Sequence, residues 1–274
     1  MDKMITKQNH ENKAQGISLF LWYVCTNELY NFYFQMTYEV TFFVPCFNEQ
    51  DNILSTLSTI QKAIHNFDIN FEIMLVSDGS TDATISLALG HDIRNLKNCA
   101  FELFDEKQNK GLGFRYIEAA KKCRGRYFML INGDNVETVE QIKTILKHKG
   151  QADSIVPFFG KNDSRSIFRR NLSLIFTKVI NLISGNKLKY YNGAVLHKSQ
   201  NLKQLNFAVS GYAYQCEILC ELISRGVSYV EIPVTNSDRQ WGVSKAFRAA
   251  NFVSVGKSAG RILYRRIRLN KSKI

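Results

Sequence analysis

The 274-residue chain is 45% hydrophobic and 22% charged, a globular composition that can bury a sizeable core in one large domain. Its six cysteines have no compact metal-ligand spacing and suit the reduced, buried thiols of a cytosolic protein. The net charge of +12 is uneven: Asp238 is the last acid, and ten Lys or Arg residues follow it.

Residues 1–37 read as a partly helical extension with an aromatic face of Phe20, Trp22, Tyr23, Tyr30 and Phe34. Ile17 to Cys25 is its most apolar run, well short of the ~18 residues of a spanning helix and without a signal-peptide cleavage site. A strand is expected over 38–44. Ile53, Leu57, Ile60 and Ile64 then recur at helical spacing, which predicts a helix over 51–65 capped by Asn48 or Asp51. A second strand spans 71–77, and Ser80 or Thr81 is the expected cap of the helix carrying Ile85 and Ala88. Phe101 to Phe104 gives a third strand, 114–123 a helix, Tyr127 to Asn132 a fourth strand, 137–148 a helix, and Ser154 to Phe158 a fifth strand. Such alternation predicts a mostly parallel sheet with helices on both faces.

Past this point the pattern loosens. Leu172, Ile175, Phe176, Val179, Ile180 and Ile183 make an apolar helical stripe flanked by Arg169, Arg170 and Lys178, as in a core helix or one lying in a membrane interface. A strand near Tyr190, a helix over 211–224 and a strand from Val227 to Ile232, closed by Pro233, follow. The basic residues after Arg239 are interleaved with Phe252, Val255, Ile262, Leu263, Tyr264 and Ile267, the pattern of an amphipathic tail for anionic lipid rather than nucleic acid. No linker forces a second domain. The expected division is an extension over 1–37, a catalytic domain over 38–250 and the tail over 251–274.

Three strand ends carry the chemistry. Pro45-Cys46-Phe47-Asn48-Glu49 and Ser77-Asp78-Gly79-Ser80-Thr81-Asp82 each break an apolar run into polar, acidic residues, where parallel strands present ligand sites. Asp78 can accept hydrogen bonds from a base or ribose, or serve as a turn residue, and Gly79 allows close backbone approach. Asn132-Gly133-Asp134 is the third end. Asp134 can hold a divalent cation shared with a diphosphate, or cap the next helix; Asn132 is neutral and a poor partner for a hard cation. Lys110, Gly111 and Gly113 precede a helix in a weakly phosphate-like loop. Arg239 and Lys245, flanking Trp241, suit anion capture. Walker, dinucleotide, serine, cysteine and zinc-protease patterns are absent from the sequence.

In order, these segments resemble the inverting family 2 glycosyltransferases, in the branch like dolichyl- or polyprenyl-phosphate sugar synthases. Pro45 to Glu49 is similar to that family's Pro-x-Tyr-Asn-Glu, with Phe47 for Tyr. Ser77 to Asp82 is similar to its Asp-Asp-Gly-Ser-x-Asp, Asn109 to Gly113 to its Asn-x-Gly-x-Gly, and Asn132-Gly133-Asp134 to its Asp-x-Asp. Gly211-Tyr212, Glu217, Glu231 to Val234 and Arg239 to Lys245 resemble the end of the branch's catalytic domain.

The resemblance implies a GT-A fold, an α/β Rossmann-like nucleotide-binding domain with a mixed, mostly parallel central sheet. It implies Mg²⁺ or Mn²⁺, a UDP- or GDP-sugar donor and a polyprenyl phosphate acceptor at the cytoplasmic face of a membrane. Pro45, Phe47, Asn48, Glu49, Asp78, Gly79, Lys110, Gly111, Asn132 and Gly133 would form the nucleotide pocket. Asp134 would meet the metal-bound diphosphate, and Arg239, Lys245 and Glu217 would complete the catalytic set. Ser77 and Asn132 stand where the family has acids. Two other outcomes stay open: a glycan hydroxyl acceptor, with Glu217 or Asp238 as base, and a catalytically weak nucleotide-sugar-binding or scaffold protein.

Overall fold

The computed structural model describes residues 38–160, 163–206, 211, 213–235 and 249–271, with side-chain environments in the final helix given over 255–268. The described strands are β1 (Tyr38–Cys46), β2 (Phe71–Asp78), β3 (Cys99–Glu106), β4 (Gly125–Leu130), β5 (Ser154–Phe159), β6 (Leu196–Lys198) and β7 (Tyr229–Val234). They form one seven-stranded sheet in the order β3-β2-β1-β4-β6-β5-β7. Pairing is parallel except where β6 lies antiparallel to both β4 and β5. Two antiparallel steps restore direction, so β5 and β7 run the same way as β1 to β4, and six strands end at one edge.

The helices are α1 (Ile53–Ile64), α2 (Thr84–Leu89), α3 (Leu112–Lys122), α4 (Val139–Lys147), α5 (Ile167–Ser184), α6 (Ser199–Lys203), α7 (Tyr214–Ser224) and α8 (Ala249–Lys271). Period-two side-chain alternation in β1 explains the layers. Val40, Phe42 and Val44 face a core with Leu57 and Ile60 of α1 and Ile142 and Ile145 of α4. Phe43 faces the opposite core with Tyr116 of α3, Phe128 of β4, and Tyr214 and Ile218 of α7. There the Tyr116 ring meets Phe128 edge-on at 5.1 Å and Tyr214 at 5.3 Å. A third cluster joins Ile180 of α5, Cys216 and Leu219 of α7 and Ile262 of α8. Each such large side chain removed from water contributes about 1.5–3 kcal/mol.

Several expectations are corrected. The strand expected near Tyr190 lies at Leu196–Lys198, and Tyr190 instead packs its ring against Phe159 at 5.0 Å. Pro233 lies inside β7 rather than closing it; β7 is an edge strand, where a missing N–H is tolerated. Neither Asn48 nor Asp51 caps α1, whose N-cap is Asn52, and neither Ser80 nor Thr81 caps α2; there Asp82 accepts the Thr84 N–H at 3.0 Å. The cap of α4 is Thr138, accepting the Gln141 N–H, and not Asp134. The C-terminal basic segment within the described residues is a helix that buries Ser258 and Ile262 against the body. Cys46, Cys99, Cys123, Cys216 and Cys220 are free thiols, as expected.

The sheet edge opposite the polar strand ends is held by Glu72. This carboxylate is 1% exposed and accepts from the Thr41 hydroxyl at 2.6 Å and from the Arg124 N–H and Nε. Thr41 in turn accepts the Gly125 N–H at 2.9 Å. A Cβ on Gly125 would lie 2.4 Å from the Thr41 nitrogen. Gly125→Ala is therefore expected to lower unfolding free energy by about 1–3 kcal/mol or more, measured by urea titration. Unchanged stability would contradict this close approach.

Candidate active site

Because β3, β2, β1 and β4 are parallel neighbours, their C-terminal loops lie side by side. β4 continues along β1 after its last assigned residue: Ile131 N–H donates to the Phe43 carbonyl at 2.9 Å, and Gly133 N–H to the Pro45 carbonyl at 3.1 Å. A Cβ on Gly133 would come 2.8 Å from that carbonyl oxygen, so glycine lets the loops touch. The Asn132–Asp134 turn thus lies directly beside Pro45 and Cys46.

The first two junctions are laced together. Asn48, at φ +55°, donates its N–H to Ser80 Oγ at 3.1 Å and accepts the Thr81 N–H on Oδ1 at 2.8 Å. Glu49 N–H donates to Thr84 Oγ1 at 2.8 Å, and the Glu49 carboxylate accepts from Asn52 Nδ2 at 3.0 Å. Phe47 stays 40% exposed at this rim. Ser77, where the resemblance expects an acid, is fully buried and accepts the Ser80 N–H within the turn.

The Asp78 carboxylate accepts the Lys110 N–H at 3.0 Å, the Gly111 N–H at 2.8 Å and Arg115 Nε at 2.7 Å, which anchors the loop before α3. Arg115 is 1% exposed and also meets Glu106 and Glu118. Gly79, at φ +84°, allows this approach: a Cβ there would sit 3.3 Å from the Asn109 nitrogen. Gly111 needs glycine for its φ of +86° alone. The Lys110 ammonium lies 5.0 Å above the Phe114 ring.

The Asn132–Asp134 loop is held from below. Thr56 of α1 donates to the Gly133 carbonyl at 3.0 Å, and Thr59 donates to Asn135 Oδ1 at 2.9 Å. Glu137, which sequence reasoning missed, folds back on Asn132. It accepts the Asn132 N–H at 3.0 Å and the side-chain amide at 2.7 Å while 6% exposed. Burial pushes its carboxyl up to about 7, against the lowering effect of the Asn132 hydrogen bonds. Asp134 is partly exposed at the tip.

Glu217 lies in the first turn of α7. It is fully buried on α7, and Arg261 of α8 grips it through Nε at 2.9 Å and a terminal nitrogen at 2.5 Å. That pairing joins α7 to the last helix. Arg239 and Lys245 lie outside the described residues. No group of three or more His, Cys, Asp or Glu side chains among the described residues could hold a metal ion by itself. Asp134 with diphosphate oxygens does fit Mg²⁺, which often takes one or two carboxylates and substrate phosphates.

The sheet order, with one antiparallel strand inside a parallel set and loops converging at a single edge, is that of a GT-A fold. The model for "Glycosyl transferase family 2" matches residues 41–203, and the chain belongs to that family. It is 22% identical over 206 residues to an undecaprenyl-phosphate 4-deoxy-4-formamido-L-arabinose transferase of Pseudomonas fluorescens (strain Pf0-1), a match spanning 75% of this chain and 59% of that relative. The solved mannosyltransferase PcManGT of Pyrobaculum calidifontis, in complex with GDP-Man and Mn²⁺, is similar with a TM-score of 0.60 at 18% identity, over 82% of this chain and 64% of that one. Glucosyl-3-phosphoglycerate synthase of Mycobacterium tuberculosis, in complex with Mg²⁺ and UDP, gives a TM-score of 0.61 at 14% identity, over 82% and 80%.

Two predictions follow from the buried carboxylates. Asp78→Asn leaves Arg115 without its closest partner at this position and is expected to cost about 3–5 kcal/mol in denaturant unfolding. A loss confined to ligand affinity, with stability unchanged, would return Asp78 to a ligand role. For Glu137, a folded-state value near 7 against 4.5 means the native protein holds the extra proton. Stability from this group is therefore full below about pH 4.5 and declines as pH rises towards 7, by on the order of 3 kcal/mol. In metal-free buffer, Glu137→Gln is expected to flatten that part of the stability–pH curve; an unchanged slope would contradict the burial argument.

Proposed function

We propose that the chain transfers a sugar, with inversion, from a UDP- or GDP-sugar to a polyprenyl phosphate at a membrane surface. The observation that carries this reading is the single polar edge. There the Pro45–Glu49 and Asp78–Gly79 junctions, the Lys110–Gly111 loop and Asp134 adjoin one another across four parallel strands. The name of the Pseudomonas relative supports a lipid-phosphate acceptor.

In this reading, Phe47 supplies an apolar face for the base, while the Pro45–Glu49 and Asp78–Gly111 loops shape the donor pocket. Asp134 would hold a divalent cation, which when bound neutralises the donor diphosphate. An acceptor phosphate oxygen attacks the anomeric carbon, and the bond from that carbon to the diphosphate breaks with its electron pair going to the diphosphate oxygen. The acceptor is already ionised near neutral pH, so orientation and charge neutralisation matter more than a base. The hydroxyl-acceptor alternative needs an available base; Glu217 is held by Arg261, and Asp238 lies outside the described residues.

The acceptor side is supported by α5 and α8. On α5, Ile167, Phe168, Leu174, Ile175, Val179 and Leu182 are exposed; on α8, Leu263, Tyr264 and Ile267 are exposed. Exposed Lys178 and Arg268 accompany them, a composition suited to an anionic lipid surface. No helix among the described residues is long and apolar enough to cross a membrane.

The test is product analysis with UDP- and GDP-sugars, a short polyprenyl phosphate and Mg²⁺ or Mn²⁺. A sugar-phosphate-polyprenol product is expected. Turnover should be lost in chelator, and Asp134→Ala should fall by about 10²-fold or more. Nucleotide binding without transfer would favour a binding or scaffold role, and full turnover in chelator would overturn the metal assignment.

A further inference from the structure

Asn132 stands where the resembling motif has an acid, and the structure supplies a reason for the amide. Both of its donors, the backbone N–H and side-chain Nδ2, converge on the two oxygens of Glu137 at 3.0 and 2.7 Å. Glu137 is 6% exposed, so its carboxylate has little water to turn to. An acid at 132 would place a carboxylate oxygen where Asn132 Nδ2 now donates, so one of the two acids would have to carry a proton to keep the contact.

The fold closes a ring around Asp134. Residue 132 is fixed to β1 through the Ile131 and Gly133 amides, and residue 137 is fixed by the Thr138 cap of α4. The Asn132–Glu137 bond joins these two ends, while Thr56 and Thr59 of α1 hold Gly133 and Asn135 between them. Asp134 projects from a loop whose two ends and middle are all anchored.

We propose that Asn132 and Glu137 act as one acid–amide unit, in which Glu137 is a positioning residue that sets the Asp134 loop for a nucleoside diphosphate and its divalent cation. The carboxylate missing from position 132 is relocated to position 137, behind the loop rather than facing the ligand. This role rests on the nucleotide-sugar reading above. The pairing also makes a prediction about polarity. Reversing both partners, with an acid at 132 and an amide at 137, preserves two hydrogen bonds and the total charge; changing either alone alters the number of acids in the pair.

The experiment compares the full chain with Glu137→Gln, Asn132→Asp and the double variant. Calorimetry reads binding of UDP and GDP in Mn²⁺, and thermal unfolding in chelator reads the pair without ligand. Each single change is expected to weaken Mn²⁺-dependent binding by about 10- to 100-fold, as loss of a group orienting a metal ligand does. The double variant is expected to recover to within about threefold of wild type, with the unfolding temperature of Asn132→Asp showing the same rescue. If Asn132→Asp does not fold, comparison of Glu137→Gln with the double variant carries the test. Wild-type affinity in Glu137→Gln, or a double variant no better than that single change, would overturn the proposal. Failure of the wild-type chain to bind either nucleotide would overturn the nucleotide reading, whereas rescue in the unfolding data would still support the pairing.

Discussion

A carboxylate at the end of a buried parallel strand must be met by donors, because water cannot serve it there. Asp78 is met by two loop amides and by Arg115, itself 1% exposed. One ion pair thereby joins the end of β2 to α3 and fixes the loop that follows β3. Arg115 also faces Glu106 and Glu118, so one guanidinium meets three acids from different parts of the chain. Neighbouring loops take their positions from this arrangement: Gly79 lies against Asn109, and the Ser80–Thr81 turn holds Asn48. The polar edge is a consequence of answering one buried charge.

Much of the scaffold was legible because its signals are periodic. Phe42 and Phe43 fall on opposite sheet faces as alternation requires, and Ile53, Leu57, Ile60 and Ile64 form the buried stripe of α1. The adjacency of the polar strand ends was legible because parallel order brings such ends together. What periodicity could not provide was side-chain direction. Asp78 reads equally as a ligand group or as an anchor until the Lys110–Gly111 loop is folded against it. Glu137 reads as an ordinary acid ahead of a helix, since nothing in its spacing reveals that it turns back to Asn132. β6 escaped notice because its three residues gain their order from β4 and β5, whereas the aromatic character around Tyr190 comes from packing with Phe159 and Arg165.

The last helix illustrates a different limit. Its interleaved basic and apolar residues gave an amphipathic segment, but the division of cations between protein and solvent depends on tertiary contacts. Arg261 is committed to the buried Glu217, and Arg266 donates to the Leu182 and Ile183 carbonyls at the end of α5. Those carbonyls lack partners within their own helix, so a cation from α8 finishes α5. The exposed apolar faces of the two helices are accordingly linked through charge as well as through the Ile180 and Ile262 core.

The clip at Asn48 carries a thermodynamic consequence. Its amide and side chain are committed to Ser80 and Thr81, and the adjacent Glu49 amide to Thr84. The floor formed by these loops has surrendered its conformational freedom during folding, when the surrounding core could offset that loss. A ligand lying across such a floor meets a surface already in shape and retains more of its contact energy as affinity. Bonds made within the loops would then govern how tightly a ligand is held, through the disorder they have removed in advance.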